Sequence, residues 1–282
     1  MRKILIPVDF SESSANALRY TLKFFQGETC IFYLLSIYKA WEYTTQDLMQ
    51  AKPDDSVYNS LVSENKQKLT DLIKELEVFS PGERFTFHGI ADYDQFTDAI
   101  AQAVELNEIE LIVMGTDGAS GAKETIFGSH TLRVIRKVNS PILVVPINSE
   151  FEKPEKILFT IDYNTRFNKA FARSFKLLMD DPKMKVHILK MQAGEEEAKE
   201  EAPDKSLIER AFKNFELEYH CVKDVPTAEA INSLVQVLGI EINVLPVKRE
   251  EFLERFLFGS AVSKIIYTTR VPLFIIHQEE AK

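Results

Sequence analysis

The sequence predicts an α/β protein built from two tandem doubly wound parallel sheets, each covered by helices on both faces. Three observations carry that expectation. Short apolar runs alternate with helix-period segments, in the order β-α-β-α-β-α-β-α-β over the first half. Residues 3–8 are mostly apolar with little alternation, and Ile142 to Val145 form another apolar run, as strands buried on both faces of a parallel sheet do. The second half also repeats the first. Lys156-Ile157-Leu158 with Asp162 echoes Lys3-Ile4-Leu5 with Asp9 at a shift of 153, and Val271 to Ile276 echoes Ser140 to Val145 at a shift of 131. The expected units are residues 1–148 and 154–278, joined by the short polar stretch Ile147 to Glu155.

Taken in order, residues 3–8 form the first strand. Ser11 to Phe25 is a helix, with Ser11 or Ser13 as cap and Ala17, Leu18, Thr21, Leu22 and Phe25 on one face. Thr29 to Ile37 is the second strand. Lys39 to Asn59 is long, polar and aromatic, a loop or partly helical excursion. It leaves the end of a strand that should border a pocket, so it reads either as a lid or as a variable connection. Ser60 to Val78 is an amphipathic helix, Arg84 to His88 a strand with alternating Phe85 and Phe87, and Asp94 to Leu106 a helix. Leu111 to Met114 is a buried strand stopped at Gly115. Thr131 to Val138 is a helix ended by Pro141, and Ile142 to Val145 is the last strand of this half.

The stretch from Leu111 to Pro146 points at an anion. A glycine after a strand lets the backbone turn with positive φ and lets a ligand approach the main chain. A helix opening at Gly128-Ser129 presents unpaired N–H groups and a positive dipole end, which suits a phosphate. The glycine spacing is neither a Walker loop nor a GxGxxG fingerprint. In doubly wound sheets ligands bind beyond the carboxyl ends of strands, where Asp9 and Gly115 both fall.

The spacing Gly115-x2-Gly118-x9-Gly128-Ser129, with the opening strand KILIPVDFS, resembles the nucleotide motif of the universal stress protein family. The resemblance implies an adenine nucleotide alpha hydrolase-like, Rossmann-like fold and binding of ATP, with or without Mg. It implies that Pro7, Val8 and Asp9 meet the adenosine end and that Gly115, Gly118, Gly128 and Ser129 hold ribose and phosphates. Ile37, Met114 and His130 are expected to line the same pocket. ATP, AMP and other adenylates stay open as the ligand. Single-domain members of that family pair through their last strands, so Ile142–Val145 and Leu273–Ile276 are expected to pair within one chain as a pseudo-dimer; a homodimer of whole chains stays open.

In the second copy Gly115 corresponds to Pro246 and Gly118 to Arg249. Proline has no N–H to donate, arginine adds bulk, and Glu250, Glu251 and Glu254 should repel a triphosphate. Nucleotide is therefore expected in the first half only. Copying this loop into the first half, Gly115→Pro with Gly118→Arg, is expected to leave the fold standing and to lower nucleotide affinity steeply.

Bulk properties set further bounds. A net charge of −9 argues against nucleic acid as a partner. No run of about 18 apolar residues suggests a membrane span, and two cysteines suit a reducing cytoplasm. The histidines lack metal-ligand spacing along the chain. Asp117, Lys123, Glu124 and His130 are the candidates for water or magnesium placement if ATP is turned over, but none makes a persuasive catalytic group. The sequence thus favours a nucleotide-dependent regulatory or stress-protective binding protein. A slow ATPase or phosphotransferase, or an interaction protein without nucleotide, are the competing readings.

Overall fold

The computed structural model of the chain describes residues 1–37, 57–92, 95–116, 128–161, 169–178, 183–192, 208–248 except 211, and 264–278 except 266 and 267. The first half runs β1 (Arg2–Pro7), α1 (Glu12–Phe24), β2 (Thr29–Ile37), α2 (Val57–Phe79), β3 (Arg84–Asp92), α3 (Phe96–Asn107), β4 (Leu111–Thr116), α4 (Gly128–Lys137) and β5 (Ile142–Pro146). The second half runs β6 (Lys156–Ile161), α5 (Lys169–Leu178), β7 (Lys185–Gln192), β8 (Glu216–Lys223), α6 (Thr227–Leu238), β9 (Ile242–Lys248) and β10 (Leu273–Gln278).

The strands form one ten-stranded sheet in the order β3-β2-β1-β4-β5-β10-β9-β6-β7-β8. Pairing is parallel throughout each half and antiparallel only between β5 and β10. The repeat extends to register. Ile4 pairs with Leu111 in β1–β4, and Ile157 with Ile242 in β6–β9, the shifts of 153 and 131 read from the sequence. The mismatch between those shifts falls between the second and third strands of each half, residues 38–83 against residues 193–215. At the junction Leu143 lies opposite Phe274, its own counterpart in the repeat, so a local pseudo-twofold axis passes between them.

Two core layers, one on each face, cross that junction without a break. Ile4, Val113, Leu143, Phe274 and Phe159 belong to one; Leu5, Ile112, Val144, Leu273 and Leu158 to the other. All of these are buried, which is why the strands carry apolar residues on both faces. The edge strands β3 and β8 instead expose alternate side chains.

The sequence places most elements within a residue or two. The differences have local causes. α2 begins at Val57, ahead of Ser60. β3 continues through Gly89 to Asp92, because its pairing with β2 continues to Ile37–Asp92, and α2 lies close enough that a Cβ on Gly89 would stand 3.3 Å from Ile73 Cδ1. β4 also runs on through Gly115 to Thr116, paired with Val145 and Pro146. The stretch between the halves is more than a spacer. Asn16 Nδ2 donates to the carbonyls of Pro146 and Ser149, both at 3.1 Å, and Phe151 packs edge-on against Tyr20 and Phe24. Further contacts tie first-half elements to second-half ones. Arg2 Nη1 donates to the Leu177 carbonyl at 2.7 Å, and His277 Nε2 to the Ile135 carbonyl at 2.7 Å, one of the last-turn acceptors that α4 leaves open. Of the excursion expected from Lys39 to Asn59, residues 39–56 lie outside the described residues and the last three belong to α2.

The start of α1 is built around Ser11. Its hydroxyl caps the helix by accepting from the Ser14 N–H at 3.3 Å. The same hydroxyl and the Ser11 N–H donate to Asp9 Oδ1 at 2.6 and 3.0 Å. This first turn packs on β4 at Gly115, where a Cβ would stand 2.3 Å from the Ser13 carbonyl oxygen and 3.0 Å from the Ser14 nitrogen.

Two outcomes follow for stability. Gly115→Ala should cost about 1–3 kcal/mol in urea unfolding, as overpacking against immovable backbone does. Ser11→Ala should cost about 1 kcal/mol at neutral pH, through loss of the cap and of the Asp9 hydrogen bonds. Partial burial alone would raise the Asp9 pKa, but the hydrogen bonds from Ser11 and Ser14 outweigh it and hold the carboxyl below its ordinary value. The stabilisation from a depressed pKa is complete above the unfolded value, about 3.9, and is lost as pH falls through the folded one. The Ser11→Ala deficit should therefore narrow in unfolding measured near pH 3.

Candidate functional site

A cavity of about 300 Å³ opens where β1, β2 and β4 end. That volume is at the lower end for a small-molecule site. Its position follows from topology: β1 and β4 are neighbours, and their connections depart to opposite sides of the sheet. Pro7, Val8, Asp9, Ile37, Met114, Gly115 and His130 all line it.

The wall is chemically divided. Val8, Leu35, Ile37, Phe96 and Met114 make an apolar slot able to take a flat ring. Asp9 stands exposed at the rim, and its lowered pKa keeps it ionised at neutral pH, able to accept from hydroxyl or amino groups. His130 and Thr131, on the first turn of α4, face the cavity from the other side. The positive dipole end of that ten-residue helix therefore borders the same space. The His130 ring meets Phe96 edge-on at 4.9 Å, which fixes the imidazole between α3 and α4.

The role of Gly115 needs correction. It is not at positive φ; among the described glycines that conformation belongs to Gly27, Gly82 and Gly239. What requires glycine here is the approach of the α1 backbone at Ser13. The double substitution Gly115→Pro with Gly118→Arg would therefore disturb helix–strand packing, contrary to the expectation that it leaves the fold standing. The glycine still shapes the cavity, because it lets the start of α1 and its serines come down onto β4.

Gly128 and Ser129 form the opening of α4, as backbone. Gly118, together with Asp117, Lys123 and Glu124, lies in residues 117–127, outside the described residues. Ser11, Glu12, Ser13, Ser14, Leu35, Phe96, Thr116, Thr131 and Ile147 line the cavity without having been singled out as site residues. Leu35 was within reach of inference, since it pairs with Pro7 and its carbonyl accepts from Val8 N–H at 2.8 Å. Phe96 was not, because its helix spacing reads equally well as core.

In the second half the position of Gly115 is held by Pro246. The register between β6 and β9 runs as far as Phe159–Val244, two residues short of it, so the missing N–H takes no bond from that ladder. Asp162 and residues 249–263, including Arg249 and Gly259-Ser260, lie outside the described residues.

Comparison with known proteins agrees with this architecture. The model of the universal stress protein family matches residues 1–146. A universal stress protein of Methanocaldococcus jannaschii is 29% identical over 156 residues, covering 51% of this chain and 94% of the relative. A second from the same organism is 24% identical over 158 residues, covering 55% and 84%. The crystal structure of a universal stress protein from Archaeoglobus fulgidus superposes with a TM-score of 0.69 at 18% identity, covering 98% of each chain, and so shares the whole two-half fold. With the family model spanning more than half its length, the chain belongs to the universal stress protein family.

Proposed function

We propose that this protein binds an adenine nucleotide, ATP in the first instance, in the cavity at the ends of β1 and β4, and acts as a nucleotide-dependent regulatory or stress-protective protein. The observation that carries the reading is the meeting, in one cavity, of an apolar slot, an ionised carboxylate and a helix opening at Gly128-Ser129. A purine suits the slot formed by Val8, Leu35, Ile37 and Met114. Asp9 accepts from the nucleoside. The Gly128 and Ser129 N–H groups donate to phosphate oxygens, with Gly118 completing the cradle. His130, beside Phe96, closes the side of the slot. Magnesium, where present, would lower the charge of the phosphates.

The ligand sits in the first half only. Pro246 has no N–H at the second copy's corresponding strand end, and the loop that follows is acidic at Glu250, Glu251 and Glu254. The units are residues 1–148 and 154–278, acting as an intramolecular pair through β5 and β10, which leaves the second unit to complete the assembly. We place the protein in the cytoplasm. Free Cys30 and Cys221 fit a reducing compartment, and no helix of the described residues is long and apolar enough to cross a membrane.

Calorimetric titration of the purified chain with ATP, with and without Mg, should give one saturable site. Asp9→Ala should weaken it by on the order of tenfold, the worth of one hydrogen bond to a charged group. Ile37→Trp, which fills the slot from a partly exposed position, should abolish it. Absence of binding, or binding indifferent to both substitutions, would sink the proposal. ADP release measured with Mg under the same conditions separates binding from slow turnover.

A further inference from the structure

A second group of side chains lies at the opposite end of the sheet, in the half that the nucleotide reading leaves without a ligand. His187 on β7 is paired in register with Glu218 on β8, and His220 follows two residues later on the same face. The imidazoles stack with ring centres 5.2 Å apart. His187 Nδ1 stands 3.0 Å from His220 Nε2, His187 Nδ1 is 3.8 Å from Glu218 Oε2, and His220 Nε2 is 3.7 Å from Glu218 Oε1. One donor atom from each of the three residues lies within 4.8 Å of the other two.

We propose that His187, Glu218 and His220 form a binding site for a borderline divalent cation of the zinc type. Donor atoms of a tetrahedral site with bonds of about 2.0–2.1 Å stand about 3.3–3.4 Å apart. The imidazole nitrogens at 3.0 Å lie just inside that spacing and the two Glu218 oxygens, each near a different ring at 3.7 and 3.8 Å, just outside it, so a small turn of the carboxylate would bring one oxygen into place. Two imidazoles and a carboxylate, with no thiolate, suit zinc, cobalt, nickel or copper rather than calcium or magnesium. His187 is buried and held by packing, whereas the Glu218 side chain is 43% exposed, which leaves a fourth position for water from the solvent side.

The local chemistry is compatible with entry of a cation. The ring that now donates the N–H···N bond moves its proton to its other nitrogen, a tautomer change that leaves the net proton count unaltered. His187 Nε2 is buried with no hydrogen-bond partner among the described residues, whichever ring donates. Lys185 is the competitor: its Nζ lies 2.7 Å from Glu218 Oε2. It also lies 3.1 Å from Glu216 Oε1, so it can transfer wholly to that carboxylate when Glu218 turns to a metal. Because β7 and β8 both supply ligands, a bound cation would also fasten the edge strand of the sheet.

The test uses the full chain stripped with a chelator and titrated with Zn²⁺ by calorimetry, with Co²⁺ absorption as a second readout. One site per chain is expected, with the visible bands of low-symmetry four-coordinate cobalt. His220→Ala and Glu218→Gln should each weaken Zn²⁺ by on the order of tenfold or more, since even outer-shell partners are worth that much. Lys185→Met should strengthen it, an outcome that a purely structural role for these residues would not produce. If the unaltered chain takes up no Zn²⁺, or if both weakening variants bind as the parent does, the triad is only a hydrogen-bonded edge contact and the proposal falls. Should His220→Ala fail to fold, Glu218→Gln at its exposed position and the cobalt spectrum of the parent still decide.

Discussion

The whole sheet depends on three residue pairs: Ile142 with Ile275, Leu143 with Phe274, and Val144 with Leu273. All six side chains are fully buried. Without this seam each half would end in an unpaired apolar strand, a template for aggregation. Because like edges meet, the pairing must be antiparallel, although every other pair in the sheet is parallel. The register then places Leu143 against its own counterpart, as an isologous contact between two subunits would. Burying a side chain of this size is worth about 1.5–3 kcal/mol, and the six sit in the two core layers that run across the seam.

The cavity is a by-product of a different constraint, the descent of the α1 backbone onto β4. Gly115 permits it, Ser11 caps the helix that results, and Asp9 receives the hydrogen bonds left over. One local arrangement thus provides helix packing, helix capping and a carboxylate held ionised at the rim. In the second half Pro246 replaces the glycine, and the strand continues in register while the donor is lost. Because the β6–β9 ladder has already ended there, the replacement leaves the sheet's main-chain hydrogen bonds intact.

Much of this was legible in the sequence. Apolar runs without alternation marked the buried strands, and the two repeat shifts located the register of the second half. The first-half cavity residues Pro7, Asp9, Ile37 and Met114 sit at strand ends, where topology alone puts them. What stayed illegible depended on contacts between distant segments. Gly115 reads as a turn residue until the Ser13 carbonyl is seen above it. Ile147 to Glu155 reads as a linker until Asn16 and Phe151 are seen to hold it. The triad of His187, Glu218 and His220 shows no ligand spacing along the chain, because one member comes from a neighbouring strand.

The bond from His277 to the Ile135 carbonyl gives α4 a foothold in each half. The amino end of that helix borders the cavity, while its carboxyl end is tethered to the last strand of the chain. A rigid rod of ten residues pinned at its far end cannot tilt or slide toward an anion without loading the tether. Any displacement of the helix would therefore load β10, the strand on the far side of the seam.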